Sequence, residues 1–149
     1  MMMPAAGSDG EFAAMMGKHH ESAIEMARFE AQSGSRADVR EMGRKIAEAQ
    51  SAEHPRLEGI AREEGQAEHK SFPTLEEHSR KDMASLRAAR GAEVDRQFLV
   101  HMMDHHAQGV DMARRSLPSL RREDLRRMAQ KMIDDQTREI DQMQAMLKR

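Results

Sequence analysis

FAAMMGKHHESAIEMAR, residues 12–28, and FLVHMMDHHAQGVDMAR, residues 98–114, align without a gap at an offset of 86. Phe12 falls on Phe98, Met16 on Met102, His19-His20 on His105-His106, and Met26-Ala27-Arg28 on Met112-Ala113-Arg114. The same register runs on, bringing Met42 onto Met128, Gln50 onto Gln136 and Glu53 onto Glu139. Between residues 12–60 and 98–146, fifteen of 49 pairs are identical. A shared helical period alone can match apolar positions, but it does not reproduce paired histidines, a glutamine and a glutamate in one register. The chain reads as two copies of a helix hairpin.

Phe12, Met16, His19, Ala23 and Met26 step by 4, 3, 4 and 3 residues, which is one inward stripe of a packed helix. Phe98, Met102, His105, Gly109 and Met112 repeat it. In the second helix of each copy, the stripe through Val39, Met42 and Ile46 ends on Glu53, Leu57 and Ile60. Its counterpart runs through Leu125, Met128, Met132 and Glu139. One amphipathic hairpin cannot cover its own apolar face, whereas two packed together can. The expected fold is therefore all-α: a ferritin-like four-helix bundle within a single domain, 1–149. The repeats span 9–64 and 93–148, and a linker with a short connecting helix occupies 65–92.

Local signals give the boundaries. Ser8-x-x-Glu11 caps a helix over 9–32, and Ser35-x-x-Asp38 caps one reaching residue 64. Pro55 is expected to kink that helix or end it near His54. Residues 65–73 read as linker, and Thr74-x-x-Glu77 caps a helix over 74–90. Two further helices follow, over 93–116 and 122–148, separated at Leu117-Pro118-Ser119.

Composition narrows the chemistry. The chain has 149 residues, a net charge of -2 and 34% charged residues, which argues against binding nucleic acid or an anionic membrane through charge. No apolar run is long enough for a transmembrane helix. There is no cysteine, so thiolate metal sites and thiol nucleophiles are excluded. Fifteen Met outnumber the eight Leu and are joined by eight His. Thioether and imidazole together form a soft-to-borderline donor set suited to Cu(I) and Ag(I), and imidazole with carboxylate also takes Cu(II) or Zn(II).

Each half places imidazole and carboxylate on faces that ought to be apolar. Two readings account for this. In one, His and Glu pair inside the core, with Gln50 or Gln136 adding hydrogen bonds. In the other, a metal is held by His and Met while Gln50, Glu53, Gln136 and Glu139 orient the imidazoles. The second copy adds His101, four residues before His105, so the two are expected to chelate one ion. Proton competition near the ordinary imidazole pKa of about 6.5 would weaken binding below about pH 6. His54, His69 and His78 lie outside the repeat match and read as solvated, with an accessory site as the alternative. Taken singly, a methionine on such a stripe is usually core packing.

The pattern Phe-x3-Met-x2-His-His-x5-Met-Ala, followed in the next helix by Gln-x2-Glu, resembles the bacterial domain-of-unknown-function family 305. It occurs at Phe12–Ala27 with Gln50 and Glu53, and again at Phe98–Ala113 with Gln136 and Glu139. The second copy is the closer match. The first departs at Glu21-Ser22 and at His54-Pro55. The resemblance implies a ferritin-like bundle in exported, periplasmic or cell-surface proteins, some of which bind copper. Carried over by position, it implies the ligands Met16, His19, His20, Met26, Met102, His105, His106 and Met112, with His101 added from the spacing above. The expected function is non-enzymatic: sequestration of Cu(I), or its transfer to a partner protein. The alternatives are a structural or protein-interaction bundle and, less favoured, a di-metal oxidase. The oxidase calls for Glu-x-x-His motifs, and no His in this chain has Glu three residues before it.

Overall fold

The computed structural model describes residues 5–66 and 72–149, so His69 and Met1 to Met3 lie outside the described residues. Five α-helices follow in order: α1 (Asp9–Ser33), α2 (Ala37–Glu63), α3 (Pro73–Ala88), α4 (Ala92–Ser116) and α5 (Glu123–Leu147). A turn of 3-10 helix, Leu117–Ser119, separates α4 from α5. The described residues contain no strand. The fold is an all-α bundle of two hairpins, α1–α2 and α4–α5, joined mainly by α1 packing on α4. At 1.5 Å per residue its long helices measure about 37–40 Å.

Two exchanged caps fix how the hairpins meet. Asp95, in the first turn of α4, accepts from the backbone N–H groups of Ser35 and Arg36 at 3.1–3.2 Å. Asp9, in the first turn of α1, accepts from Arg121 and Arg122 at 2.9 Å. Each aspartate thus satisfies N–H groups at the start of the other hairpin's second helix, where a helix has none of its own acceptors. The start of each inner helix lies against the end of the other, so α1 and α4 run antiparallel. Arg36 with Asp38 and Arg122 with Asp124 form matching pairs 86 residues apart.

Several local expectations are corrected. Ser8 does cap α1, accepting from Glu11 N–H. Ser35 does not cap α2: the capping position is Arg36, and Asp95 takes the role across the bundle. Thr74 does not cap α3, which begins one residue earlier with Pro73 in its first turn, where a missing N–H costs nothing. Pro55 neither ends α2 nor marks a boundary. Leu57, Ile60 and Ala61 beyond it are buried against α1, and that burial outweighs the lost backbone bond.

The core is divided in two. One apolar cluster contains Met15, Met16, Met112, Met128 and Met132, and the other contains Met26, Met42, Met83, Met102 and Met143. His19, His20, Gln50, His105, His106 and Gln136 are buried yet belong to neither. The short helix α3 lies across α1 and α4. It bonds to α1 through Ser79 to Ser22 and to α4 through Ser85 to Gln97. Among the described residues no helix is long and apolar enough to cross a membrane.

Candidate metal centre

His19 on α1 and His105 on α4 meet where the inner helices cross. Their rings are stacked, with centroids 3.5 Å apart and planes 17° from parallel. Both are buried, and neither nitrogen of either ring has a hydrogen-bond partner. A neutral imidazole carries one donor and one acceptor, so the stack leaves four polar atoms unsatisfied. Burial above all, then the neighbouring His20 and His106, pushes His19 down to about 3. Burial and the charge of His19 hold His105 well below its ordinary value.

This depression bears on the expected pH dependence at the stacked pair. Protons do not compete for the stacked pair at pH 6, because the folded protein already holds both rings neutral there. Affinity that stays flat between pH 5 and 7.5 is therefore compatible with coordination by these two rings.

His20 and His106 flank the stack and are fully buried. His20 Nε2 bonds to Glu53 Oε2 at 2.8 Å, and His106 Nε2 bonds to Glu139 Oε1 at 2.6 Å. Each carboxylate is partly exposed and, as an acceptor, fixes its imidazole with the proton on Nε2. The other nitrogen, Nδ1, is then bare, and in both rings it is buried without a partner. Gln50 Oε1 and Gln136 Oε1 are orphaned in the same way.

The sequence missed which residues reach across the bundle. A Cβ on Gly109 would sit 2.8 Å from His19 Cε1 and 2.9 Å from Gln136 Oε1. The bare backbone of α4 therefore makes room for the α1 ring and the α5 amide side by side. The Glu bonds stay within a hairpin, but the stacked rings join the two hairpins. The only local signal was Gly109 standing where the first copy has Ala23.

His101 is not paired with His105. Its Nδ1 lies 3.3 Å from Asp82 on α3, and its Nε2 lies 2.9 Å from Gln97. Helical spacing alone puts the two on one face, but Asp82 on α3 captures the His101 ring. Met16, Met26, Met102 and Met112 are all buried. Met16 joins the cluster of Met112 and Met26 that of Met102, so the inner helices bring one methionine from each hairpin to either side of the histidine layer. His54 and His78 are half-buried and paired with acidic groups rather than solvated.

The donors gathered here are imidazole nitrogen, amide oxygen and thioether sulfur, with charged carboxylates one bond further out. Hydrogen bonding leaves the buried nitrogens unsatisfied, and a soft or borderline cation would satisfy them.

Comparison with known proteins gives this arrangement its setting. No curated protein sequence matches the chain. A crystal structure of a DUF305 fragment from Deinococcus radiodurans is 25% identical, with a TM-score of 0.83 over 97% of this chain and 98% of that one. A DUF305 protein of Streptomyces coelicolor, predicted to be secreted, is 26% identical with a TM-score of 0.80 over 93% and 91%. CopM in its Cu(II)-bound form is 23% identical with a TM-score of 0.83 over 96% and 97%. It is also known in Cu(I)-bound, Ag-bound and apo forms. The family model for DUF305, a domain of unknown function, matches residues 9–147, so this chain belongs to the DUF305 family.

Proposed function

We propose that this protein binds copper, chiefly Cu(I), in the histidine layer of its bundle, and that it sequesters the ion or passes it on without catalysing a reaction. One observation carries the reading. Six buried imidazole nitrogens and two buried amide oxygens lack hydrogen-bond partners in a single layer between two methionine-rich clusters. Leaving such atoms unsatisfied costs about 1–3 kcal/mol each. A purely structural core would have no use for that expense. The fold shared with CopM, a protein with copper- and silver-bound forms, supports the same reading. The relative predicted to be secreted supports an exported location, where copper is handled without reducing thiols.

The stack also bears on the number of ions. A coordination bond to imidazole lies in the ring plane along the nitrogen lone pair. Two rings stacked face to face 3.5 Å apart cannot both aim at one ion between them. The reading is therefore two ions, one for each ring of the stack, with ligands drawn from both hairpins. Glu53 and Glu139 hold the Nε2 protons of His20 and His106 and leave Nδ1 free for metal.

The test is an anaerobic Cu(I) titration against a competing chelator, run beside Zn(II) and Fe(II). Two tight Cu(I) equivalents are expected, falling to one in His19→Ala and one in His105→Ala. Unchanged stoichiometry in both variants, or Cu(I) binding no tighter than that of a short peptide, would sink the reading.

A further inference from the structure

We infer that the seam between α3 and α4 is a second, separate metal site, taking a divalent transition-metal ion such as Zn2+ through His78, Asp82 and Asp104. Donor atoms of these three side chains lie within 4.8 Å of one another. His78 Nε2 is 3.2 Å from Asp104 Oδ2 and 3.4 Å from Asp82 Oδ2. A tetrahedral ion with bonds of about 2.0 Å separates its ligands by about 3.3 Å. The two separations from His78 thus already match edges of such a polyhedron.

Hydrogen bonding alone does not satisfy the cluster. His78 Nε2 offers one proton or one lone pair but faces three neighbours, since the Gln108 amide nitrogen also lies 3.0 Å away. Asp82 is 6% exposed, and its Oδ2, on the His78 side, is buried without a hydrogen-bond partner. The second imidazole deepens the imbalance. The Gln97 side-chain nitrogen donates to Glu93, so its oxygen is the atom facing His101 Nε2, which therefore carries the proton. Unless that ring is charged, a bare Nδ1 faces Asp82 Oδ1 at 3.3 Å. The buried carboxylate is thus flanked by imidazole nitrogen on both oxygens, with a second carboxylate beside one of them. That environment calls for positive charge.

Its donors are nitrogen and oxygen with no sulfur, a set that suits Zn2+ or Cu2+ rather than Cu(I). Asp104 is about half exposed, which leaves the outer side of the cluster open to water and to an entering ion. The first hairpin cannot build a copy, because Met15 and Lys18 stand where the second has His101 and Asp104.

Calorimetric titration of the full chain with Zn2+ alone tests the assignment. One equivalent is expected in the wild type and in His19→Ala/His105→Ala. Affinity should fall at least tenfold in His78→Ala/Asp104→Asn, two partly exposed positions whose replacement leaves the helical circular dichroism intact. The same seam variant should keep its full Cu(I) stoichiometry. Three results would overturn the site: no zinc binding tighter than millimolar, wild-type zinc affinity in the seam variant, or zinc binding lost only with His19 and His105. Failure of the copper titration leaves the zinc result standing, so the two readings fail separately.

Discussion

His101 and His105 are one turn apart on α4 and meet opposite surroundings. His105 stacks on His19 in a buried layer where no carboxylate bonds to it. His101 faces Asp82 at the edge of α3, close to His78 and Asp104. The two hairpins match at His19 and His105, where they face each other, and diverge where each faces α3. The stacked residues have their own counterpart as neighbour and are constrained together. Residues turned toward α3 have no such partner and have become Met15 and Lys18 in one half, His101 and Asp104 in the other. The molecule thereby separates a soft, buried donor set from an oxygen-rich, accessible one.

The most severe way to break the symmetric layer is to make it apolar. His19→Leu/His105→Leu should lower Cu(I) affinity at least 100-fold while the metal-free protein gains stability on the order of 2 kcal/mol, because unsatisfied buried nitrogens are removed. The pH dependence of unfolding gives an independent readout. Both histidines have folded values below the ordinary 6.5, with His19 at about 3, so the unfolded chain binds more protons between those limits. The wild type should lose stability as pH falls below about 6.5, and the leucine variant should lose less. Equal acid sensitivity in urea melts of the two proteins would count against neutral rings in the core.

Glu30 is a larger departure from symmetry than any metal donor, for its counterpart is Ser116. It is fully buried, with its carboxyl in the space a side chain at Gly34 would occupy: a Cβ there would lie 1.7 Å from Oε2. Burial, and then the neighbouring Asp95, pushes it up to about 9. The folded state therefore holds a proton that the unfolded chain releases above its ordinary 4.5, and stability falls as pH rises from about 4.5 toward 9. Glu30→Gln, which is neutral at every pH, should stabilise the protein by roughly 2 kcal/mol at pH 8 and by little at pH 5. A benefit independent of pH would mean that Glu30 is ionised.

The inward stripes were legible because helical periodicity is a property of one segment. They placed His19 and His105 inside the bundle, and the carboxylates Glu53 and Glu139 on the core-facing stripe of their own hairpins' second helices. What neighbouring helices do depends on their relative height and rotation, which no single segment encodes. That is why His105 meets His19 and not His101, why Asp95 caps α2 in place of Ser35, and why His78 joins two aspartates. Pro55 does not end α2 for a related reason, since the burial that carries the helix through it lies on α1. Glu30 gave a local hint, a glutamate four residues before Gly34, but nothing in the segment says that its carboxyl folds inward.

Gly109 and Ala23 are the next mismatch. A Cβ at Gly109 would crowd the His19 ring, which is held in its stack on His105, and the end of the Gln136 side chain. Gly109→Ala should cost about 1–3 kcal/mol through overpacking, despite alanine's better helix propensity. Ala23→Gly should cost about 1 kcal/mol, the ordinary helical penalty plus a lost methyl. If Gly109→Ala proved stabilising in thermal melts, the His19 ring would not be leaning on α4.

The caps sharpen the comparison from the side where the halves agree. Asp9 and Asp95 each accept two backbone N–H groups at the other hairpin's second helix. A charged acceptor at a helix N-terminus contributes about 1 kcal/mol. Asp9→Asn and Asp95→Asn keep an oxygen acceptor but lose the charge, so each should cost roughly 0.5–1 kcal/mol. Asp95 differs in one respect, because it also lies beside the buried acid Glu30. Removing its charge relieves part of the strain on that carboxyl, so Asp95→Asn should cost less than Asp9→Asn at pH 8. In the Glu30→Gln background the two costs should become equal. A gap between them that survives that substitution would place the asymmetry somewhere other than Glu30.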